Sequence, residues 1–344
     1  MEKTAMNDQA RNLTFGVVGI GRIGADHART MRTVEGVGEM VLADAVPSRA
    51  AEVAAELGAR TVEPAKILDE VEALVVTTPT SDHADYIIAA AARGIPVFTE
   101  KPVAIDAATT KQVADAVARA GALVQVGFMR RFDGGYANAK RRLQAGEIGE
   151  LRRVGIVMGD YPPPPASYIP GSGGLFKDCL IHDIDVLRWV TGREVTEVYT
   201  VGENRGAPYF GKYGDVDETG GVFTCDDGTI VTFQCSRYNG AGYDIRMELF
   251  GTTETLAVGF GTFLPVTSAE PGFVFSEAGD RFPNFYPRFT PAYKAEIREF
   301  IATVRAGGES VATVADALEA LYVCDALDLS RKEHRPVRVD EVRV

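Results

Sequence analysis

Two side chains suited to proton transfer, Asp178 and His182, stand four residues apart in a stretch that predicts a helix. This spacing puts both side chains on one helix face, so the pair can act on a single substrate atom. The reference pKa of histidine, about 6.5, suits a general base near neutral pH. A lone helical histidine is more often structural, but the glycine-rich approach at 171–174 and a lysine elsewhere in the chain favour catalysis.

That lysine, Lys101, follows the apolar run Pro96–Thr99 within the sequence Glu100-Lys101-Pro102. The run predicts a buried strand, and ligands of parallel sheets bind beyond the carboxyl ends of the strands. Lys101 is therefore predicted to point into the crevice that also holds a cofactor. Taken alone, it has the alternative interpretation of a solvated surface lysine.

A glycine-rich turn joins the first predicted strand to a helix and reads Gly19-Ile20-Gly21-Arg22-Ile23-Gly24. The first glycine permits the tight turn, the second lets the backbone approach a pyrophosphate, and the third lets helix pack on strand. The helix N-terminus offers N–H groups and a positive dipole end to phosphates. We predict dinucleotide binding by Gly19, Gly21, Arg22, Ile23 and Gly24; the alternative is a turn needed only for packing.

Asp44 stands 20 residues beyond Gly24. At that position a carboxylate accepts hydrogen bonds from the adenosine ribose hydroxyls and repels a 2′-phosphate. The sequence therefore predicts NAD as cofactor rather than NADP, although Arg22 and Arg49 would soften the repulsion.

The cluster Thr78, Pro79 and His83 closes another predicted strand, Ala73–Thr77. Because ligands sit beyond such strand ends, we expect this cluster and Glu100 to line the cofactor crevice as well. For His83 the favoured alternative is a histidine at a helix start that only satisfies backbone groups.

The elements that must position these residues change character along the chain. In residues 1–128, short apolar runs alternate with helical stretches, which predicts a doubly wound parallel sheet. In residues 129–344, period-two strands predict an α+β domain with a large open, mainly antiparallel sheet. The prediction is two domains, with a nucleotide-binding domain first and a substrate-binding and oligomerisation domain second.

The composition is that of a globular protein with a small-molecule partner. The 344 residues carry a net charge of −12, so nucleic-acid binding is not expected. No apolar run approaches the roughly 20 residues of a membrane span, and the start Met1-Glu2-Lys3-Thr4, which has no apolar stretch, predicts that the protein is not exported by a signal peptide. Four cysteines without knuckle spacing predict reduced thiols, no metal site and a cytoplasmic location.

In combination, these motifs resemble the glucose–fructose oxidoreductase, inositol dehydrogenase and rhizopine-catabolism (Gfo/Idh/MocA) family over nearly the whole chain. The segments 127–133 and 187–189 resemble the inositol 2-dehydrogenase branch in particular. The resemblance implies a Rossmann domain followed by an open-sheet domain that commonly forms homodimers or homotetramers. It also implies an NAD-dependent dehydrogenase that oxidises a secondary hydroxyl of a cyclic polyol.

The family resemblance implies roles for the matching residues. Lys101 would hold the reacting hydroxyl and stabilise negative charge on its oxygen, and His182 would take the hydroxyl proton. Asp178 would fix the substrate and the electrostatics around His182.

One departure bears on the substrate. Inositol-specific members carry His and Asn at the end of a strand where this chain has Met158 and Asp160. The expected substrate is therefore a polyol ring resembling myo- or scyllo-inositol, with a pyranose or anhydrosugar as the alternative. Arg131, Asp160 and Tyr243 are candidates for the substrate pocket beside Lys101, Asp178 and His182, each with a structural alternative.

Two further hypotheses remain open at this point. In the first, this protein holds its cofactor tightly, as some relatives do, and oxidises a sugar only transiently. In the second, it is a nicotinamide- or sugar-sensing regulator without catalytic activity. The segment 204–217, rich in aromatic residues, is predicted to be either a loop over the active site or an arm toward a neighbouring subunit.

Overall fold

A computed structural model describes residues 12–261, 264–273 and 281–344; the N-terminal residues used for the signal-peptide prediction lie outside these ranges. The chain forms two compact units. The first is Met1–Met129 with Tyr293–Leu318, and the second is Arg130–Ala292 with Glu319–Val344.

The predicted division had one boundary, between residues 128 and 129, whereas in the structure Tyr293–Leu318 returns to the first unit. The physical reason is hydrophobic packing. Ile297, Phe300 and Ile301 belong to the same buried core as Phe15 and Phe98. The Phe300 ring centroid lies 6.4 Å from that of Phe15 and 5.9 Å from that of Phe98.

The first unit contains a six-stranded parallel sheet in the order β3-β2-β1-β4-β5-β6. Its strands are β1 Leu13–Val18, β2 Val37–Ala43, β3 Arg60–Thr61, β4 Ala73–Val76, β5 Val97–Thr99 and β6 Val124–Val126. All four side chains of β4 are buried, as a strand covered on both faces requires. The predicted doubly wound parallel sheet is confirmed.

Helices alternate with these strands: α1 Arg22–Met31, α2 Pro47–Leu57, α3 Thr80–Ala91 and α4 Ala107–Ala120, with a 3₁₀ turn at Pro64–Asp69. The sequence explains several of their ends. Pro47 occupies the first turn of α2, and Asp106 caps α4 by accepting from the backbone N–H of Thr109. Gly58 and Gly121 end α2 and α4 in the left-handed conformation.

The second unit contains a seven-stranded sheet in the order β12-β11-β7-β10-β9-β8-β13. Its strands are β7 Leu151–Gly159, β8 Val195–Glu203, β9 Glu218–Cys225, β10 Ile230–Ser236, β11 Asp244–Gly251, β12 Thr255–Val258 and β13 Val337–Arg338. The pairs are antiparallel except β7 with β10, so the predicted open, mainly antiparallel sheet is confirmed.

Short and long helices complete the chain: α5 Gly134–Gln144, α6 Ile169–Ser172, α7 Ile181–Thr191, α8 Tyr209–Lys212, α9 Phe285–Ala306 and α10 Val314–Glu333, with 3₁₀ turns at Met129–Phe132 and Val339–Val342. A π-helical turn, Phe176–Leu180, precedes α7. Alternate residues of β10 are buried, which gives the sheet one face toward the core.

All four cysteines are buried thiols. Among the described residues, no helix has the length and apolar character that crossing a membrane demands.

Candidate functional site

In the glycine turn of the first unit, the first and the last glycine are each required for a different steric reason. Gly19 has φ +90°, and a Cβ there would lie 2.5 Å from the backbone nitrogen of Thr78. A Cβ on Gly24 would collide with the carbonyl oxygen of Gly19. The Thr77 hydroxyl donates to that same carbonyl at 2.7 Å. The turn, the start of α1 and the end of β4 therefore pack too closely for side chains.

Gly21, in contrast, faces open space. A Cβ built there would meet no atom of the described residues within 4 Å. Its carbonyl oxygen accepts from Ala25, and α1 begins at the next residue, Arg22, which is exposed, followed by the half-buried Ile23. An uncrowded backbone at a helix N-terminus fits the pyrophosphate of a dinucleotide, because N–H groups and the helix dipole meet negative charge there.

Asp44 is buried at the end of β2 and fixes the neighbouring backbone. Its Oδ2 accepts from Ile20 N–H at 2.6 Å and its Oδ1 accepts from Val46 N–H at 2.7 Å. Arg49 Nη1 lies 4.0 Å from Oδ1. A carboxylate has about four acceptor positions, so capacity remains for ribose hydroxyls. Ribose binding by Asp44 stays a prediction.

Thr78 and Pro79 form the turn after β4, as predicted, but His83 is enclosed. Its ring is 1% exposed, with Nδ1 2.9 Å from the carbonyl oxygen of Pro102 and Nε2 2.9 Å from that of Thr78. Both ring nitrogens are thus engaged by backbone, which fits the alternative that the sequence analysis favoured; cofactor binding by His83 stays a prediction. The histidine joins the turn after β4 to the turn after β5, which carries Lys101.

Lys101 is half-buried and directly follows Glu100, which the sequence analysis placed at the cofactor. Glu100 Oε1 lies 2.9 Å from Nε2 of the buried His27. The ring of His27 contacts Phe98 edge-on at 5.2 Å. Glu100 is therefore anchored to α1 from the strand end that leads into Lys101.

Glu296 completes this buried group and was not anticipated from the sequence. One ligand-type atom from each of His27, Glu100 and Glu296 lies within 4.8 Å of the others. Burial, and then the charge of Glu100, raise the pKa of Glu296 well above its ordinary value of 4.5. The raised pKa favours the neutral, protonated form of this carboxyl. The sequence separation of 269 residues between His27 and Glu296 hides the group from inspection of motifs.

In the second unit, Asp178 and His182 lie on consecutive helical segments. Asp178 is in the π-turn and His182 is in the first turn of α7, where the sequence predicted one continuous helix. A π-turn has backbone hydrogen bonds from i to i+5, one residue longer than those of an α-turn. Such turns are frequent at functional sites. His182 is 8% exposed.

Two residues that the sequence analysis did not single out bind the Asp178 carboxylate. The Tyr168 hydroxyl donates to Oδ1 at 2.9 Å, and Arg237 Nη1 donates to Oδ2 at 2.7 Å. A signal for Arg237 was present. Val231, Phe233 and Cys235 occupy the buried positions of β10, and Arg237 continues their period of two. A charged residue in a buried register position indicates a buried partner.

Arg131, a predicted substrate-binding residue, pairs with Asp185; its substrate role stays a prediction. Nη2 lies 2.5 Å from Oδ1 and Nε lies 2.9 Å from Oδ2, with both side chains buried. Arg130, which lies in the same 3₁₀ turn as Arg131, pairs with Asp183 on the same helix as Asp185. The two arginines anchor α7, which carries His182.

Asp160 and Tyr243 remain pocket candidates with different surroundings. Asp160 Oδ1 accepts from Tyr161 N–H at 2.8 Å, and its Oδ2 lies 3.9 Å from Cys179 Sγ, beside the Asp178 turn. Tyr243 is buried, its ring meets Phe289 edge-on at 6.2 Å, and burial raises its pKa. It lines a cavity of about 510 Å³.

The predicted catalytic residues are thus divided between the units. Lys101 lies in the first unit, whereas Asp178 and His182 lie in the second.

Comparison with known proteins covers both units. Residues 13–128 match the model of an oxidoreductase family with an NAD-binding Rossmann fold, and residues 136–257 match the GFO/IDH/MocA C-terminal domain. The chain is 37% identical over 335 residues to scyllo-inositol 2-dehydrogenase (NAD(+)) of Bacillus subtilis, covering 95% of this chain and 96% of that protein.

Solved structures give the same result. A probable dehydrogenase from Thermotoga maritima aligns with a TM-score of 0.89 at 30% identity, over 96% of this chain and 100% of that one. Scyllo-inositol dehydrogenase from Lactobacillus casei, solved with NAD(H) and scyllo-inositol, aligns with a TM-score of 0.84 at 28% identity, over 96% and 100%.

Proposed function

The chain belongs to the Gfo/Idh/MocA family of oxidoreductases, and from that premise we propose that it oxidises a secondary hydroxyl of a cyclic polyol to a ketone. The predicted family and the predicted cofactor, NAD, are confirmed. The proposed substrate is an inositol-like ring. The observation that carries this choice is the 37% identity to scyllo-inositol 2-dehydrogenase over 95% of the chain.

Bound NAD supplies the acceptor for the hydride that leaves the carbinol carbon. In the proposal, His182 takes the hydroxyl proton as this carbon becomes a carbonyl, and Lys101 stabilises the negative charge that develops on the oxygen. Asp178 accepts a hydrogen bond from the substrate and fixes its orientation. Supporting features are the backbone anchoring of the Lys101 turn through His83 and the paired arginines that hold α7.

For substrate recognition, the proposal retains Asp160, Tyr243 and Arg131. Asp160 lies beside the turn that carries Asp178, and a carboxylate suits a ring with several hydroxyl donors. Beyond Asp160 the chain runs into four prolines, 162–165, which are stiff and give this wall a fixed shape. A pyranose or anhydrosugar is the second candidate, because it presents the same hydroxyl chemistry.

The test is formation of NADH, followed by absorbance, with NAD or NADP and a panel of scyllo-inositol, myo-inositol, glucose, xylose and an anhydrosugar. We expect turnover of an inositol with NAD, and a loss of at least about 100-fold in Lys101→Ala. Lys66→Ala, an exposed lysine of the same unit, is the matched control. Product without added NAD would support the tightly held cofactor. A silent panel would contradict the proposal and favour a sensor.

We also propose that the second unit forms a homo-oligomer through the outer face of its sheet, as the resemblance implied. Val201, Val222 and Ile230 are exposed on the neighbouring strands β8, β9 and β10. Adjacent exposed apolar side chains favour a protein partner, here a second copy. Light scattering after size exclusion should give a dimer or tetramer, and Val222→Glu should lower the mass; a monomeric wild type would contradict this.

A further inference from the structure

Arg237 is a buried cation in the second unit to which the proposed chemistry assigns no task. Its side chain is 1% exposed, and it follows β10 in the register of that strand's buried residues. Burying a guanidinium is costly unless nearby carboxylates compensate its charge. The residues around Arg237 therefore indicate what it is for.

Two carboxylates flank it. Nη1 donates to Asp178 Oδ2 at 2.7 Å, and Nη2 lies 3.8 Å from Asp215 Oδ2. Nη1 also lies 3.4 Å from Cys179 Sγ, and the guanidinium carbon lies 5.9 Å from the centre of the Phe210 ring. Among the described residues, the guanidinium donates to the Asp178 carboxylate and to the Cys179 sulfur, and the bond to Asp178 is the charge-assisted one.

The segment 204–217 forms the rest of this environment. Phe210 is fully buried, and Asp215 Oδ1 accepts from Leu175 N–H at 2.9 Å, just before the π-turn. The backbone N–H of Arg237 donates to the carbonyl oxygen of Asp217 at 2.9 Å. Asp217 is itself fully buried and accepts from the N–H groups of Arg205 and Gly206. The segment is thus fixed around Arg237 within its own subunit.

We propose that Arg237 is a positioning residue of the active site. With Tyr168 it holds the carboxylate of Asp178 ionised and in one orientation, the orientation in which that carboxylate meets a substrate hydroxyl. The segment 204–217 is the wall that keeps Arg237 in place. This inference rests on the proposed role of Asp178 in polyol oxidation.

Charge and geometry both support this division of labour. A charge-assisted hydrogen bond to a carboxylate favours its ionised form, and a second donor on the other oxygen, here the Tyr168 hydroxyl, restricts its rotation. If Arg237 were purely structural, Asp178 would serve only as its counter-charge. Replacing Arg237 would then leave the kinetic constants for the substrate unchanged.

The test compares Arg237→Met, Arg237→Lys and Tyr168→Phe with Arg152→Met, an exposed arginine of the same unit. We expect kcat/KM for the polyol to fall about 10- to 100-fold in Arg237→Met, with partial recovery in Arg237→Lys and an unchanged Kd for NAD. In an Asp178→Asn background, Arg237→Met should change kcat/KM by less than about twofold, because the bond it supports is already altered.

The opposite results are equally clear. Kinetics in Arg237→Met equal to those of Arg152→Met, or a full loss added to that of Asp178→Asn, would overturn the proposal. If Arg237→Met does not fold, Arg237→Lys and Tyr168→Phe carry the same comparison. An inactive wild type would contradict the polyol function alone; crystal structures of wild type and Arg237→Lys would then decide, since an unmoved Asp178 carboxylate excludes positioning by Arg237.

Discussion

Arg131 holds Asp185 through two parallel hydrogen bonds, Nη2 to Oδ1 at 2.5 Å and Nε to Oδ2 at 2.9 Å, inside the second unit. Arg130 and Asp183, one residue before Arg131 and two before Asp185, form a second buried pair. Because these pairs join a 3₁₀ turn to α7, they fix the helix that carries His182.

Breaking the Arg131 pair should be strongly destabilising. Arg131→Met leaves Asp185 buried without its countercharge, which costs about 3–5 kcal/mol of unfolding free energy. Replacing both residues, as Arg131→Met with Asp185→Leu, should recover much of that loss. Urea denaturation measures each variant, with Arg141→Met, an exposed arginine on α5, as the control. A loss below about 1 kcal/mol in Arg131→Met would show that the pair is not needed for stability.

Two glycines of one turn should respond to alanine in different ways. Gly24→Ala forces a Cβ against the carbonyl oxygen of Gly19 and should cost about 1–3 kcal/mol of stability. Gly21→Ala meets open space and should leave stability within about 0.5 kcal/mol. Its methyl group instead occupies the predicted pyrophosphate position, so NAD affinity should fall on the order of 10- to 100-fold. Thermal denaturation and NAD titration separate the two effects; equal NAD affinity in Gly21→Ala would contradict the placement.

Asp44 should affect cofactor choice and local structure together. Asp44→Ala removes the predicted repulsion of a 2′-phosphate, so the ratio of kcat/KM for NADP to that for NAD should rise. It also leaves the N–H groups of Ile20 and Val46 without their acceptor, at about 1–3 kcal/mol. Asp44→Asn removes the charge but keeps one acceptor oxygen, so it loses one of the two backbone hydrogen bonds rather than both. An unchanged cofactor ratio in both variants would remove Asp44 from the ribose site.

Features that depend on neighbouring residues were predictable from the sequence. The parallel sheet follows from continuous apolar runs such as Ala73–Val76, which fit a strand buried on both faces. The glycine turn was predictable because positions 19 and 24 have no room for a side chain, so only glycine fits there. Even Arg237 left a local trace, since it occupies a buried position in the period of β10.

Features that depend on distant pairing were not predictable. Arg131 is a residue type that often binds substrates, so the sequence suggested that role. Its hydrogen bonds to Asp185, 54 positions later in the chain, became visible only in the structure. His83 could be interpreted both as a cofactor ligand and as a backbone anchor until the positions of two carbonyl groups were known. The return of Tyr293–Leu318 to the first unit depends on packing with residues far earlier in the chain, which no local pattern records.

The buried Glu296 should give the protein a specific dependence on pH. Burial and the charge of Glu100 raise its folded-state pKa well above the ordinary 4.5, and Glu100 is in turn paired with His27. A raised folded-state pKa means that the folded state binds the proton more tightly than the unfolded state. The stabilisation from this proton is therefore complete below about pH 4.5 and is lost as the pH rises through the folded-state pKa.

Glu296→Gln keeps the shape of the neutral carboxyl and cannot ionise, so its stability should not follow this decline. We expect the difference in unfolding free energy, Glu296→Gln minus wild type, to increase as the pH rises above about 4.5, by at most about 1.4 kcal/mol for each pH unit, until the folded-state pKa is passed. Glu299→Gln, an exposed glutamate on the same helix, is the control and should show no such trend. A difference that stays constant over this range would mean that Glu296 ionises equally in the folded and unfolded chain, which would contradict its burial beside Glu100.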